Sequence, residues 1–303
     1  MQNSGRTARS KPPQAEERIV YARTADDLDL RGVLIRPRGK PVQPDHLILW
    51  VHTRQQNFAE PEYVGVGRCL AGAGHNFLSV DTRGHDFGSW ARGSDGPVLH
   101  GSAWERFSDC VFDLDAWVDH ALGLGYRSIF LVGHGFGGAK VVYFQSQRQR
   151  PEVAAIGLAS SGSAVRDKFT EEGSALAERM VAEGRGRDLM PWGTGGDTYA
   201  STVSADWFVA RHKMHHEVFG NGTTPPAISR IRVPIFAWYG SLEDRPNRRV
   251  AEFVDRLRAD AFAAPLFEGS VIEGLPFFYI GHEAKVAEIL MGAMARIGLA
   301  PVA

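Results

Sequence analysis

The sequence is poor in cysteine and contains no long apolar run. Only two cysteines, Cys69 and Cys110, occur among 303 residues, so neither a disulfide framework nor a cysteine-rich metal site is available. Because that scarcity is typical of proteins from reducing compartments, we expect a cytoplasmic location. No uninterrupted apolar stretch approaches the roughly 18 residues of a membrane-spanning helix. The sequence therefore predicts a protein that does not enter the membrane.

An excess of charge of either sign is also lacking. Lys and Arg together number 34 against 35 Asp and Glu, a formal net charge of −1 at pH 7. Such a balance creates no overall field that would recruit nucleic acid or an anionic membrane, so we expect neither partner. Residues 1–17 are polar and lack the apolar core of a signal peptide, and we interpret them as a flexible tail. Nothing in the composition indicates the oligomeric state.

Short β-rich runs alternate with longer helical patterns. Residues 18–24 and 28–37 alternate in polarity around a turn at Asp26 and Asp27, which predicts an opening antiparallel hairpin. The following runs are nearly continuously apolar, as expected of strands buried on both faces: 47–51, 77–80, 129–132, 153–159 and 234–239. This alternation predicts an α/β fold with a mostly parallel central sheet flanked by helices.

Two further segments stand out from this alternation. Ser102 and Glu105 have the spacing of a capping box at the start of a helix. Residues 162–230 interrupt the strand pattern with a glycine-rich stretch followed by a His- and Met-rich segment. We interpret 162–230 as a cap inserted into a core formed by residues 18–161 and 231–303.

The most informative segment, residues 129–142, reads as a strand, a glycine-rich turn and a helix. Gly133, Gly135 and Gly138 fit the GxGxxG pattern of dinucleotide-binding loops. That interpretation needs a carboxylate at the end of the next strand, and the sequence there ends in Ser160 and Ser161. We therefore expect no nucleotide cofactor.

A second interpretation of the same turn is a nucleophile elbow, G-x-S-x-G. Small residues two before and two after the nucleophile allow a strained turn that lifts one side chain above the sheet edge. Gly133 and Gly137 are both in place, but Gly135 occupies the serine position.

With these motifs in this order, the chain resembles the α/β-hydrolase superfamily, and most closely its bacterial serine esterases. The resemblance covers the hairpin, the strand ending at His52, the turn at residues 81–86, the elbow, the cap and the late acidic and histidine segments. It implies the α/β-hydrolase fold and the hydrolysis of a carboxylic ester, lactone or related acyl bond.

The resemblance also implies the other members of a catalytic triad. The acid follows a late strand, which selects Glu243, with Asp244 one place later as the alternative. The base follows the last strand, where His282 opens the final helix. A carboxylate at Glu243 or Asp244 would hold the histidine in the required tautomer and stabilise its imidazolium form.

An oxyanion hole is expected from the amide of Phe136 together with one amide of the loop after the third strand, that of Thr53 or Arg54. Relatives more often have glycine where this chain has Thr53. Arg54 or Gln55 could instead contact a polar or carboxylate group of a small-molecule substrate. The predicted substrate contacts are His134, Gln55, Trp192 and Trp207.

No metal site is predicted. His212 and His216 lie one helical turn apart, yet no HExxH pattern and no third ligand accompany them. We therefore favour a polar cap surface over a zinc site as the explanation of these histidines.

Two explanations of Gly135 remain open at the level of sequence. In the first, the natural protein has serine here and this chain is an inactivated hydrolase. In the second, glycine is native. The protein then uses the histidine–acid pair for water activation, lyase or cyclase chemistry, or it binds a ligand without catalysis. The retained acid and histidine favour the first explanation, because both would otherwise lack a reason to persist. The departure at Thr53 favours the second, because one replacement does not account for two anomalies. Of the two, the hydrolase function is the one we expect from the sequence.

Overall fold

The computed structural model describes residues 15–38, 46–161, 170–191, 203–219, 224–244 and 249–299. The predicted tail lies mostly outside these ranges, but residues 15–17 already belong to the first strand. Within the described ranges, no helix is long and apolar enough to cross a membrane.

Eight strands form one sheet in the order β1-β2-β4-β3-β7-β8-β9-β10. Only β2 runs against its neighbours, and the remaining pairs of the sheet are parallel. The strands are β1 (Ala15–Arg23), β2 (Asp29–Pro37), β3 (His46–Val51), β4 (Phe77–Val80), β7 (Ser128–His134), β8 (Val153–Ala159), β9 (Ile235–Gly240) and β10 (Phe267–Ile272). The predicted opening hairpin is confirmed by the antiparallel pairing of β1 with β2. A small hairpin of β5 (Ser89–Gly93) and β6 (Gly96–His100) was not predicted.

Helices cover both faces of the sheet, as the continuous apolar runs require. On one face lie α2 (Cys110–Gly123), α3 (Phe136–Arg148) and α6 (Val250–Asp260). On the other lie α1 (Pro61–Gly72) and α7 (Glu283–Arg296). The central strands β3 and β4 are buried along their whole length, so the core is a helix–sheet–helix sandwich.

Between β8 and β9 the described chain forms α4 (Glu171–Ala182) and α5 (Ala205–Phe219). These helices pack on each other around a small apolar cluster that includes Met180, Trp207 and Phe208. Further along α5, Met214 and Val218 pack against the start of α3. The segment predicted as a cap therefore contacts the core next to the glycine-rich turn.

The predicted capping box is wrong. The helix begins only at Cys110, after a short 3-10 turn at Phe107–Asp109, and its N-cap is Asp109. Glu105 instead accepts a hydrogen bond from the Lys140 ammonium at 2.6 Å. Both side chains are about 1% exposed, so a buried ion pair takes precedence over the local cap.

This ion pair gives a stability prediction. Glu105→Gln leaves the Lys140 ammonium without its counter-charge in the interior, and we expect the free energy of unfolding to fall by about 3–5 kcal/mol. Glu288→Gln is the matched control, because its pair with Lys285 is solvent-exposed and should cost less than about 0.5 kcal/mol. Urea titrations of both variants test this. Equal, small losses would contradict a buried pair.

Candidate functional site

The turn between β7 and α3 has the backbone of a nucleophile elbow. Gly135 has φ +51° and ψ −117°, in the left-handed half of the conformational map that glycine adopts without strain. A Cβ at Gly137 would lie 2.5 Å from the carbonyl oxygen of His52, and one at Gly133 would collide with the backbone of Gly137. The flanking glycines are therefore required by the close approach of this turn to its own helix and to the neighbouring strand.

The space above Gly135 is already filled. A Cβ at this position would lie 2.8 Å from the Cβ of Thr53 and 2.9 Å from Cζ of Phe277, with Thr53 Oγ1 closer still. Real Cβ atoms do not approach other heavy atoms so closely, so a side chain at 135 requires Thr53 to move. Thr53 and Phe277 thus occupy the volume in which a nucleophile would stand.

Thr53 also engages the amide predicted to bind an oxyanion. The Phe136 N–H donates a hydrogen bond of 3.0 Å to Thr53 Oγ1, and the Thr53 N–H donates to the Tyr63 hydroxyl at 3.3 Å. Both amides therefore already have acceptors. A bound carbonyl oxygen would have to displace the threonine hydroxyl to reach the Phe136 amide.

The neighbouring His52 fixes the position of this loop. Its Nε2 accepts a hydrogen bond from the Thr82 amide at 3.0 Å, so the proton resides on Nδ1, which donates to the Thr53 carbonyl at 2.7 Å. Burial holds the pKa of His52 well below its usual value. The neutral ring therefore locks the backbone of Thr53 between β3 and β4.

Of the two predicted acids, Glu243 points inward and Asp244 does not. Glu243 is 2% exposed, and its Oε1 accepts hydrogen bonds from the Gly240 amide at 2.7 Å and from the Ser160 hydroxyl at 2.6 Å. Asp244 is exposed and accepts from the amide of Val250 at the start of α6. Only Glu243 therefore has the burial of a triad acid.

The Glu243 carboxylate leads to a chain of hydroxyl groups. Because the Ser160 hydroxyl donates to Glu243, it accepts from the Tyr279 hydroxyl, 2.6 Å away. Burial raises the pKa of Tyr279 well above its usual value. Ser160 and Tyr279 have left-handed backbones, with φ of +48° and +61°. Such strain in non-glycine residues persists only where the surrounding structure enforces it.

His282, the predicted base, lies at the N-cap of α7, half-buried, with its amide hydrogen-bonded to the Tyr279 carbonyl at 2.8 Å. Among the described residues, no hydrogen bond joins its ring to Glu243. The side chain that the loop after β10 brings to Gly135 is instead Phe277. A base must come within hydrogen-bond reach of its nucleophile, and here a phenyl ring stands in that place.

His134, a predicted substrate contact, is a core residue. It is fully buried, its Nε2–H donates to the Phe277 carbonyl at 2.8 Å, and its Nδ1 lies 2.7 Å from the Tyr63 hydroxyl, whose one proton is shared with Gln56 Oε1. Burial lowers the pKa of His134 to about 4. With both nitrogens engaged below the elbow, the ring has no hydrogen-bonding capacity left for a ligand.

The remaining predicted contacts are distributed around the cap. Trp207 is buried on α5, and the Arg54 guanidinium stacks on its ring, with Cζ 4.5 Å from the centroid. Gln55 is exposed with a left-handed φ of +65°. Trp192 lies outside the described residues.

Three histidines, His212, His215 and His216, belong to α5, but their side chains are outside what the structure describes. Elsewhere in the described part of the chain, no group of three or more potential ligand side chains is placed to hold a metal ion.

Sequence reasoning missed three residues of this site: Phe277, Ser160 and Tyr279. Phe277 follows Gly274 by three residues in the loop after the last strand, the loop that carries the base in relatives. A search of that loop for a catalytic base looks for histidine and finds only His282, so Phe277 is overlooked. Ser160 and Tyr279 are partners of Glu243 only through the tertiary fold, and no sequence signal identified them.

The crowding above Gly135 predicts a measurable coupling. Gly135→Ala should lower the free energy of unfolding by about 2–4 kcal/mol, through backbone strain and overlap with Thr53. Gly125→Ala is the control for strain alone, because its φ is +98° and no atom lies within 4 Å of its Cβ; we expect a loss of about 1 kcal/mol. In a double-mutant cycle, Thr53→Gly should offset part of the Gly135→Ala loss. If the changes in unfolding free energy of the two single variants simply add in the double variant, a side chain at 135 does not overlap with Thr53.

Burial of His134 predicts a pH dependence. With a pKa of about 4 in the fold and about 6.5 unfolded, the unfolded chain takes up a proton that the folded chain excludes. Stability should therefore fall as the pH decreases from about 6.5 to 4, and His134 should contribute a loss of about 2 kcal/mol between pH 7.5 and 5. His134→Gln should lose less stability over this interval, by about that amount, in urea titrations at the two pH values. Identical losses would show that His134 is not the titrating group.

Comparisons with known proteins agree with this architecture. The sequence model of the alpha/beta hydrolase family matches residues 22–287. No curated protein matches the sequence. Among solved structures, Est1E from Butyrivibrio proteoclasticus is similar with a TM-score of 0.60 and 16% identity over 92% of this chain and 98% of that chain.

Two further structures are similar over nearly the whole chain. The Pyrococcus furiosus esterase Pf2001 has a TM-score of 0.55 and 18% identity, covering 96% of this chain and 97% of its own. DcsB, solved in complex with its substrate analogue, has a TM-score of 0.63 and 14% identity, covering 93% and 98%. Identities this low make the likeness one of fold, and the fold class predicted from the sequence is confirmed. On the family match, this chain belongs to the alpha/beta hydrolase family.

Proposed function

We propose that this protein binds a small acyl compound, such as an ester, lactone or carboxylic acid, above the elbow without transferring its acyl group to residue 135. The observation that carries the proposal is the position of Thr53. Its side chain fills the volume of a nucleophile at residue 135, and its hydroxyl accepts the hydrogen bond of the Phe136 amide. The serine mechanism requires that volume and that amide to be available.

Three differences from the serine esterases fit one another. Thr53 and Phe277 both occupy the space that a side chain at position 135 would need, and glycine is the residue that leaves this space to them. A single inactivating replacement of serine would alter residue 135 alone. Their mutual fit therefore supports a native glycine, the second of the two explanations that the sequence leaves open.

The hydroxyl chain at Glu243 supports the same proposal. A triad acid orients a histidine, which then accepts the proton of the nucleophile. Here the Oε1 atom of Glu243 is engaged by Ser160 and by the Gly240 amide. Because a tyrosine with a raised pKa and a serine do not accept protons near neutral pH, this chain of groups offers a structural role rather than general-base catalysis.

Acyl-bond hydrolysis by a His282–Glu243 pair, with Gly135 as the lost nucleophile, is the second candidate. The elbow conformation of Gly135 and the burial of Glu243 favour it, as does the structural similarity to the Pyrococcus furiosus esterase Pf2001. Hydrolysis by this route requires His282 to reach the elbow and Thr53 to leave it.

Introducing serine at 135, with glycine at 53 and histidine at 277, distinguishes the two candidate functions. We expect Gly135→Ser alone to give no ester hydrolysis, because Thr53 crowds the new serine and Phe277 supplies no base. Thr53→Gly, Gly135→Ser and Phe277→His combined should raise hydrolysis of p-nitrophenyl esters by about 100-fold or more over the single variant. The triple variant should also be labelled at residue 135 by an organophosphonate, as detected by intact mass.

The matched control moves the histidine by one residue. Thr53→Gly, Gly135→Ser and Phe278→His should stay inactive, because Phe278 is 48% exposed and lies beside the loop position rather than at it. Turnover of an ester by the unaltered chain or by Gly135→Ser, abolished by His282→Ala, would overturn the proposal in favour of the second candidate.

A further inference from the structure

A buried carboxyl group adjoins the loop that carries Thr53. Asp81 begins the turn after β4, and it is 0% exposed. Its Oδ1 accepts a hydrogen bond of 2.9 Å from the Phe58 amide. Its Oδ2 receives no hydrogen bond within the described ranges, although the half-exposed Arg31 on β2 places its Nε 3.4 Å away. One oxygen of this carboxyl group is therefore tied to the loop, and the other has hydrogen-bonding capacity left.

His85, in the same turn, has an acceptor near that second oxygen. The side chain is buried, and its Nδ1 lies 2.8 Å from Oδ2 of Asp86. Although burial opposes it, hydrogen bonds from Asn57 and His85 lower the pKa of Asp86, so this group is a carboxylate that only accepts. The neutral imidazole therefore carries its proton on Nδ1 and keeps a lone pair on Nε2, which lies 3.9 Å from Asp81 Oδ2. Two acceptor atoms thus lie close together in the interior.

Three hydrogen bonds join this turn to the loop after β3. Besides the one from Phe58, the Asp86 N–H donates to the Gln56 carbonyl at 3.1 Å. The side-chain amide of Asn57 donates to Asp86 Oδ1 at 2.9 Å. Within the loop, the Gln56 N–H donates to the Thr53 carbonyl at 3.3 Å. A change in the turn is therefore transmitted to the loop that fills the space above the elbow.

We propose that Asp81 and His85 bind one proton between Oδ2 and Nε2, and that taking up this proton loosens the loop after β3 at residues 53–58. The proton comes from solvent and forms an O–H···N hydrogen bond, for which the two atoms must approach by about 1 Å. An ionised Asp81 makes a charge-assisted bond to the Phe58 amide and pairs with Arg31, whereas a neutral one makes a weaker bond and no ion pair. Proton uptake thereby weakens one of the three hydrogen bonds and shifts the turn that makes the other two.

The pH at which this occurs follows from burial. Burial raises the pKa of Asp81 to about 7 and lowers the pKa of His85 to about 4, so the proton stays on the carboxyl group. Around the pair, Arg31 favours the carboxylate and Asp86 opposes it. His100, from β6, stacks edge-on against His85 at 4.9 Å, and burial lowers the pKa of His100 as well, so it adds no charge near neutral pH. The loop is therefore held above about pH 7 and loosened below it.

Hydrogen exchange of the loop tests this proton-binding pair. In the unaltered protein, the protection of the Phe58 amide should fall about 10-fold between pH 8 and pH 6, after correction for the intrinsic pH dependence of exchange. Asp81→Asn keeps an acceptor at Oδ1 but cannot ionise, so its protection should be low and equal at both pH values. Asp27→Asn is the matched control, because Asp27 also accepts a backbone amide but is half-exposed, and hydrogen bonds from Ser94 lower its pKa to about 2. This control should respond to pH like the unaltered protein.

The ring of His85 supplies a second readout, which a merely structural carboxyl group would not change. Nitrogen-15 NMR of the imidazole should show Nε2 becoming a hydrogen-bond acceptor as the pH falls from 8 to 6, while the ring stays neutral with its proton on Nδ1. Asp81→Asn should abolish this pH dependence. If that variant fails to fold, the NMR titration of the unaltered protein decides the matter alone.

Three results contradict the proton-binding pair: unchanged protection of the Phe58 amide between pH 8 and pH 6, a pH response retained in Asp81→Asn, or an imidazolium forming on His85 in that range. None of these measurements involves a ligand, so such results leave the proposed function intact. Turnover of an ester removes the proposed function, leaves the proton-binding pair intact and is detected separately, by product release.

Discussion

The hydrogen bond from the Phe136 amide to the Thr53 hydroxyl organises the centre of this molecule. It joins the start of α3 to the loop after β3 across the carboxyl edge of the sheet. Because the donor is the first amide of a helix, it would otherwise lack an intrahelical partner. One threonine thus caps the helix, fills the volume above Gly135 and engages the amide that the sequence predicts for an oxyanion hole. The glycine and the threonine are parts of one arrangement.

Around this bond, several buried polar side chains are hydrogen-bonded to one another or to the backbone. His52 fixes Thr53, His134 joins Tyr63 to the Phe277 carbonyl, and Glu243 holds Ser160. Buried polar groups stabilise a unique structure only when their hydrogen bonds are made. These hydrogen bonds hold the residues around the elbow in fixed positions.

The cap brings a second set of side chains to this edge of the sheet. Its helix α5 places the Trp207 ring against the Arg54 guanidinium, and Met214 packs with Phe136 at the start of α3. Sites on such scaffolds are built from loops at the strand ends, which vary while the sheet persists.

Much of the fold was determined by the sequence itself. The continuous apolar runs predicted the parallel strands, since both faces of such a sheet are covered by helices, and the alternating residues 18–37 predicted the antiparallel hairpin. The glycines at 133 and 137 predicted the elbow, because only residues without Cβ permit the backbone approach. These are local signals, readable from residue type and spacing.

The tertiary structure decided which side chains meet, and it did so against local signals in two places. Glu105 pairs with the distant Lys140 instead of capping a helix, because an unpaired buried ammonium is more unfavourable than an uncapped helix end. Phe277, rather than His282, lies against Gly135, because the path of the loop after β10 selects the residue, and residue type does not encode that path. The sequence by itself determined the scaffold and the glycine at position 135. Only the packing of distant loops decided that Thr53 and Phe277 occupy the space above this glycine.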